Sequence, residues 1–267
     1  MSDSAVRPLA LVTGASSGIG LELAKQFAGN GFDLIAVAED AELDAAAQQL
    51  RELGAAVSAI RADLTRREEV EKVVAAVRGA GRPLDVAALN AGVGVGGRFV
   101  ETDLDAELDL VALNCVSTMH LAKRVAQDMV ARDEGRILFT SSVASQAPQP
   151  FQAVYGASKA FVQSLALALR EEIADTAVTV TTLLPGPTDT EFFDRADLTD
   201  TKLGAMETKD DPAKVAEQGF TGLMKGEATV FAGSLASKAM GRLSALTPDT
   251  AAAKTAKPMA APGSAEG

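Results

Sequence analysis

The chain has 267 residues, 47% apolar and 23% charged, enough to bury a full α/β core and too hydrophobic for a disordered chain. Asp plus Glu (36) outnumber Lys plus Arg (25), and the formal net charge of −11 disfavours a nucleic-acid or anionic-membrane partner. One Cys excludes an intramolecular disulfide or Cys-based metal cluster, and one His, His120, excludes a His-rich site, so no metal is expected.

Short strand-like runs alternate with longer runs of helical period, which predicts a doubly wound α/β fold: one mostly parallel sheet of about seven strands flanked by helices. Strands are expected over 9–13, 32–38, 57–62, 84–89, 136–140, 178–184 and 229–232. Helices are expected over 19–28, then 43–53 closed by Gly54, then from a Thr65/Glu68 capping box to Arg78. One extended helix is expected over 104–132, another over 154–174, and a last over 212–224 with Asp211 as N-cap and Pro212 in first position. Residues 1–247 read as one domain, with 186–210 a long substrate loop rich in Thr and Asp. Residues 248–267 are Ala-rich, carry Pro248, Pro258 and Pro262, and lack a core pattern; a disordered tail is expected. No run is long enough to span a bilayer, the N-terminal apolar stretch is too brief for a signal peptide, and the expected compartment is the cytoplasm.

The first strand runs into Thr13-Gly14-Ala15-Ser16-Ser17-Gly18-Ile19-Gly20. Glycines at a strand-to-helix junction let the backbone turn tightly and approach a pyrophosphate held on the helix N-terminus. The same segment is formally G-x-S-x-G, the elbow of a hydrolase with Ser16 as nucleophile. That reading needs a later His on a loop, and His120 falls within a helical stretch. Tyr155 and Lys159, four apart, share one helix face. A phenol is a weak base at neutral pH; a nearby ammonium favours its phenolate and burial opposes it, and a midpoint below ~10 is expected. Tyr155 is the only Tyr in the chain.

The Thr13–Gly20 turn, Asn90-Ala91-Gly92, Asn114, Ser142, Tyr155-Gly156-Ala157-Ser158-Lys159 and Pro185-Gly186 with Thr190, in this order, resemble the short-chain dehydrogenase/reductase family over about residues 8 to 232. The resemblance implies a Rossmann-type domain and hydride transfer between a nicotinamide cofactor and an alcohol or carbonyl substrate. It assigns Tyr155 as acid/base, Lys159 to tune it and hold the ribose, Ser142 rather than Ser141 or Ser145 to orient the substrate oxygen, and Asn114, through its backbone, to a water relay. It places the cofactor against Gly14, Ser16, Ser17, Gly18, Ile19 and Gly20, then Asp63 and Leu64, then Asn90, Ala91 and Gly92. Tyr155, Lys159, Pro185, Gly186, Thr188 and Thr190 complete that set. The family's usual Gly is replaced by Ser117 in Asn114-Cys115-Val116-Ser117. Homodimers or homotetramers are common among relatives and are expected here.

At the end of strand two, Glu39 and Asp40 offer carboxylates where a 2′-phosphate would need a cation; NAD is expected over NADP, with Glu39 the deciding residue. Substrate walls are expected from 93–99, 143–154 and 186–210. Phe99, Phe151, Phe192, Phe193, Leu198 and Met206 supply apolar surface and Asp189, Glu191, Asp194, Asp197 and Asp200 negative charge, which favours a neutral, fairly apolar secondary alcohol or ketone. The competing class is a non-catalytic dinucleotide-binding or sensing protein, which would have no need of Ser142, Tyr155 and Lys159 together.

Overall fold

The structure, a computed structural model, describes residues 7–244 and 246–266; the first six residues of the expected domain, Ala245 and Gly267 lie outside it. The strands are β1 (Leu9–Thr13), β2 (Asp33–Ala38), β3 (Val57–Arg61), β4 (Val86–Leu89), β5 (Gly135–Thr140), β6 (Val178–Pro185) and β7 (Thr229–Ala232). They form one sheet, ordered β3-β2-β1-β4-β5-β6-β7, and every pairing is parallel. Parallel neighbours need crossovers, and the helices that supply them cover both faces. Successive residues of β1 therefore serve different cores. Leu9 and Leu11 pack toward α3 (Arg67–Arg78), α5 (Thr118–Ala131) and α6 (Ala153–Glu172). Ala10 and Val12 pack toward α1 (Gly18–Gly29), α2 (Glu42–Glu52) and α8 (Pro212–Lys225). The sheet reverses direction between β1 and β4, where the loops after both strands diverge and leave a crevice.

Three expectations change. The Thr65/Glu68 capping box does not form: α3 begins at Arg67, and the Thr65 hydroxyl donates instead to Asp63 Oδ1 at 2.6 Å. The extended helix over 104–132 is three pieces: α4 (Leu104–Val111), a π-helical segment Ala112–Ser117, and α5. The tail expected to be disordered holds a helix, α10 (Asp249–Ala260), after α9 (Leu235–Ser244). Its alanines are strong helix formers, and Pro258 falls in the last turn rather than at the centre. The loop 186–210 carries a single turn of helix, α7 (Phe192–Arg195). Asp211 and Pro212 open α8 as the sequence predicts: the Asp211 carboxylate accepts from Ala213 N at 2.9 Å.

Candidate active site

A cavity of about 600 Å³ opens at the carboxyl edge of the sheet. Its first wall is the turn after β1. Gly14 and Gly18 take φ of +67° and +54°, and a Cβ on Gly20 would sit 1.9 Å from the Gly14 carbonyl oxygen, so only glycine fits there. No side chain caps the first turn of α1, whose Gly18, Ile19 and Gly20 line the cavity with their N–H groups uncommitted to a cap. Thr13 fixes the opposite lip: its hydroxyl accepts from Asn90 N at 2.9 Å and Ala91 N at 3.0 Å, while Asn90 Nδ2 donates to Thr13 O at 3.2 Å.

At the end of β2 the Ser16 hydroxyl donates to Asp40 Oδ2 at 2.8 Å, and Asp40 Oδ1 is buried without a hydrogen-bond partner. Ser16 therefore faces an acid and no imidazole; His120 pairs with Glu71 at 2.7 Å, and the hydrolase arrangement is not formed. A dinucleotide fits this end: backbone donors and a positive helix end suit a pyrophosphate, and the uncommitted carboxylate oxygen suits a ribose hydroxyl. Every residue of the expected cofactor set lines the cavity except Asp63. The wall there is Ala62 and Leu64, because Asp63 Oδ1 is held by both the backbone N and the hydroxyl of Thr65.

Deeper in, α6 presents Tyr155 and Lys159, 8% and 5% exposed. Lys159 Nζ donates to Thr140 O at 3.1 Å and lies 5.8 Å from the centre of the Tyr155 ring. Burial pushes the Tyr155 phenol up to about 12, and a hydrogen bond from Ser142 opposes it. Burial also draws Lys159 down to about 8. The expected lowering of the phenol is thus reversed in the chain alone, because removal from water outweighs the polar neighbours. Ser142 is the serine at the phenol. Ser141 donates instead to Lys159 O at 2.7 Å, and Ser145 to Ser142 O and to Gln163 Oε1 at 2.6 Å. A Cβ on Gly92 would come within 3.0 Å of Asn114 Oδ1 and 3.1 Å of Lys159 Nζ, so the bare backbone there makes room for both.

Asn114 does not line the cavity; it sits behind it in the π-helical segment. Its side chain clamps Val93, accepting from the N at 3.0 Å and donating to the O at 2.9 Å, and donates to Ser158 Oγ at 3.0 Å. Phe192, Phe193 and Met206 line the substrate end as expected, and the Phe192 ring lies 5.0 Å from that of Tyr155. Leu198 instead is buried with Phe193 and Ala196 beneath the loop, Phe99 is 63% exposed on the outside, and Phe151 also stays off the wall. Gln149 and Gln152 line the cavity from within the expected 143–154 wall; what sequence reasoning missed is a wall from α9 and α10. Asp40 carried a signal, an acid beside Glu39; the tail carried only its alanine content.

A family model described as short chain dehydrogenase matches residues 8–200. The chain belongs to the short-chain dehydrogenase family and is an oxidoreductase working with a nicotinamide cofactor. A short-chain dehydrogenase from Sphingobium yanoikuyae, in complex with NADPH, superposes with a TM-score of 0.78 at 35% identity, over 84% of this chain and 87% of that one. The bulky-bulky ketone specific alcohol dehydrogenase from Comamonas testosteroni gives 0.74 at 31% identity, over 84% and 85%. In sequence, the NADP-dependent 3-hydroxy acid dehydrogenase of Salmonella typhi is 33% identical over 67% of this chain and 71% of that protein. Among the described residues no helix is long and apolar enough to cross a membrane.

Proposed function

We propose that the protein transfers a hydride between NAD and a neutral, fairly apolar secondary alcohol or ketone, with Tyr155 as general acid/base. The observation that carries this is the buried Tyr155–Lys159 pair, one helical turn apart with Ser142 at the phenol, on the cavity that begins at the glycine turn. The cofactor, when bound, supplies or accepts the hydride. Ser142 and Tyr155 hold the substrate oxygen from one side, and in reduction the phenol gives that oxygen its proton. With its pKa pushed up to about 12, Tyr155 is protonated at neutral pH and ready as the acid. In oxidation it must lose a proton, and Lys159 and the charged nicotinamide ring favour that loss. The widened π turn around Asn114 supports a backbone role for it in the relay behind Lys159.

The preference for NAD rests on Glu39 and Asp40, acids at the cavity edge where a 2′-phosphate would meet negative charge. The NADPH and NADP named for two relatives belong to those proteins and mark the competing choice. A turnover screen over alcohols and ketones with each nicotinamide, beside calorimetric titration of NADH and NADPH, tests both parts. NADH is expected to bind at least about tenfold tighter, and Glu39→Arg or Asp40→Arg to narrow or invert the ratio. Equal affinities in the unaltered protein defeat the NAD assignment; cofactor binding without turnover of any substrate favours a sensing protein. The same reading places the protein in the cytoplasm as a homodimer or homotetramer.

A further inference from the structure

The substrate end of the cavity is closed by α10, beyond residues 8–200 that the family model covers. Ala252, Thr255, Ala256, Met259 and Ala260 recur at three- and four-residue spacing on one face of α10, and all five line the cavity. Lys254 and Lys257 stay exposed. Three of the five are alanines, so the helix leaves open space in front of it, and Met259 is the one long side chain on that face.

The helix is tied to the substrate loop rather than laid loosely upon it. Leu203 N donates to Met259 O at 2.9 Å, and Lys202 N to Ser264 Oγ at 2.9 Å. In return Gly263 N donates to Asp200 Oδ2 at 2.7 Å and Ala265 N to Asp200 O at 2.9 Å. The charge pattern is equally definite. Among the described lining residues, charge is confined to Glu39 and Asp40 at the cofactor end, Lys159, and the pair Glu191–Arg195 joined at 2.6 Å. The wall from Leu203 through Met206, Leu243 and α10 carries none.

We infer that α10 is the distal wall of the substrate pocket and sets the substrate as a bulky, uncharged carbonyl compound or alcohol of fused-ring size, with Ala256 and Met259 limiting its far end. This rests on the oxidoreductase reading above. An alanine face at the far wall accommodates volume, and a wall without cations gives a carboxylate or phosphate no partner.

The test uses the full chain loaded with NADH and two uncharged ketones, the bicyclic 2-decalone and the smaller cyclohexanone, read by calorimetric binding and by turnover. Ala256→Phe is expected to weaken 2-decalone binding and raise its KM at least about tenfold while changing cyclohexanone less than about twofold and leaving NADH affinity unchanged. Met259→Ala, at a side chain 39% exposed, removes bulk without disturbing the core and is expected to shift preference toward a three-ring ketone. An equal effect on both ketones, no effect of either variant, or no binding of 2-decalone by the unaltered protein overturns the inference. Ketone binding that responds to both variants but is never followed by turnover defeats the oxidoreductase reading and leaves the wall assignment standing.

Discussion

Burial shifts both Tyr155 and Lys159 toward their neutral forms, and the two shifts act on stability in opposite directions of pH. The phenol, raised to about 12, contributes stability that is complete below its ordinary value of 10.0 and is lost as pH rises through 12. The ammonium, lowered to about 8, contributes stability present above its ordinary 10.5 and lost as pH falls through 8. At pH 7 the native state therefore carries a buried cation whose one hydrogen-bond acceptor among the described residues is Thr140 O. Lys159→Met is expected to abolish most turnover yet stabilise the fold at pH 7 by about 1–3 kcal/mol, a gain that shrinks near pH 10. Thermal melting of both proteins at the two pH values checks this; a variant less stable at pH 7 refutes it. Because Tyr155 is the only Tyr and the chain has no Trp, phenolate absorbance reports this side chain alone. Its midpoint is expected above 10 in the free protein and to fall on adding NAD⁺. Tyr155→Phe should erase the signal and cut turnover about 100-fold or more while NADH still binds. A midpoint below 10 without cofactor contradicts the burial argument.

At the scale of elements, the loop 186–210 is anchored at both ends to one residue. Asp189 N donates to Asp210 O at 2.8 Å and Asp210 N to Pro187 O at 2.8 Å, closing the loop's neck. The Asp210 carboxylate then accepts from Ser234 N at 2.7 Å and Ser237 Oγ at 2.5 Å, joining that neck to the start of α9. Asp210→Ala removes the acceptor of the buried Ser237 hydroxyl as well as that of Ser234 N and is expected to cost about 1–3 kcal/mol locally. Hydrogen exchange should quicken across 186–210 and 233–244 while β1 and β5 keep their protection; unchanged exchange in the loop would show the anchor to be idle. The strands and most helices were legible because burial on two faces writes continuous apolar runs, as in Leu9–Thr13, and helices write a 3.6-residue period. The glycine turn, Ser142, Tyr155 and Lys159 were legible because chemistry fixes their residue types and order. What escaped depends on contacts distant in sequence. Whether Asp63 meets a ligand or Thr65 is decided by a local turn, and α10 is tied to the substrate loop by the Leu203 N–Met259 O backbone bond, a contact distant in sequence with no periodic signal stronger than composition. The π-helical segment at Asn114 is invisible to a search for regular period.

For the molecule as a whole, the sheet order brings the loops after β1, β2, β4, β5 and β6 to one edge, so cofactor and substrate share a single crevice and the outer helix faces are left for other contacts. One such face is apolar. Leu104, Leu108 and Val111 form a stripe along α4 at 68%, 55% and 38% exposure, and Val116, Met119 and Phe161 remain 50%, 45% and 41% exposed beyond it. A net charge of −11 keeps copies apart at long range, so any association has to draw on apolar contact, which this face offers. The homo-oligomer proposed above is expected to bury this stripe against a second copy, and α4 continues through the π-helical segment that carries Asn114. Disrupting the face should therefore reach the site. Leu108→Asp is expected to give monomers in sedimentation velocity at micromolar concentration, to lower the melting temperature and to reduce turnover. Raising the salt concentration should strengthen association of the unaltered protein by screening its net charge. A protein that is monomeric at every concentration and salt tested, or a Leu108→Asp variant that assembles normally, refutes pairing through this face.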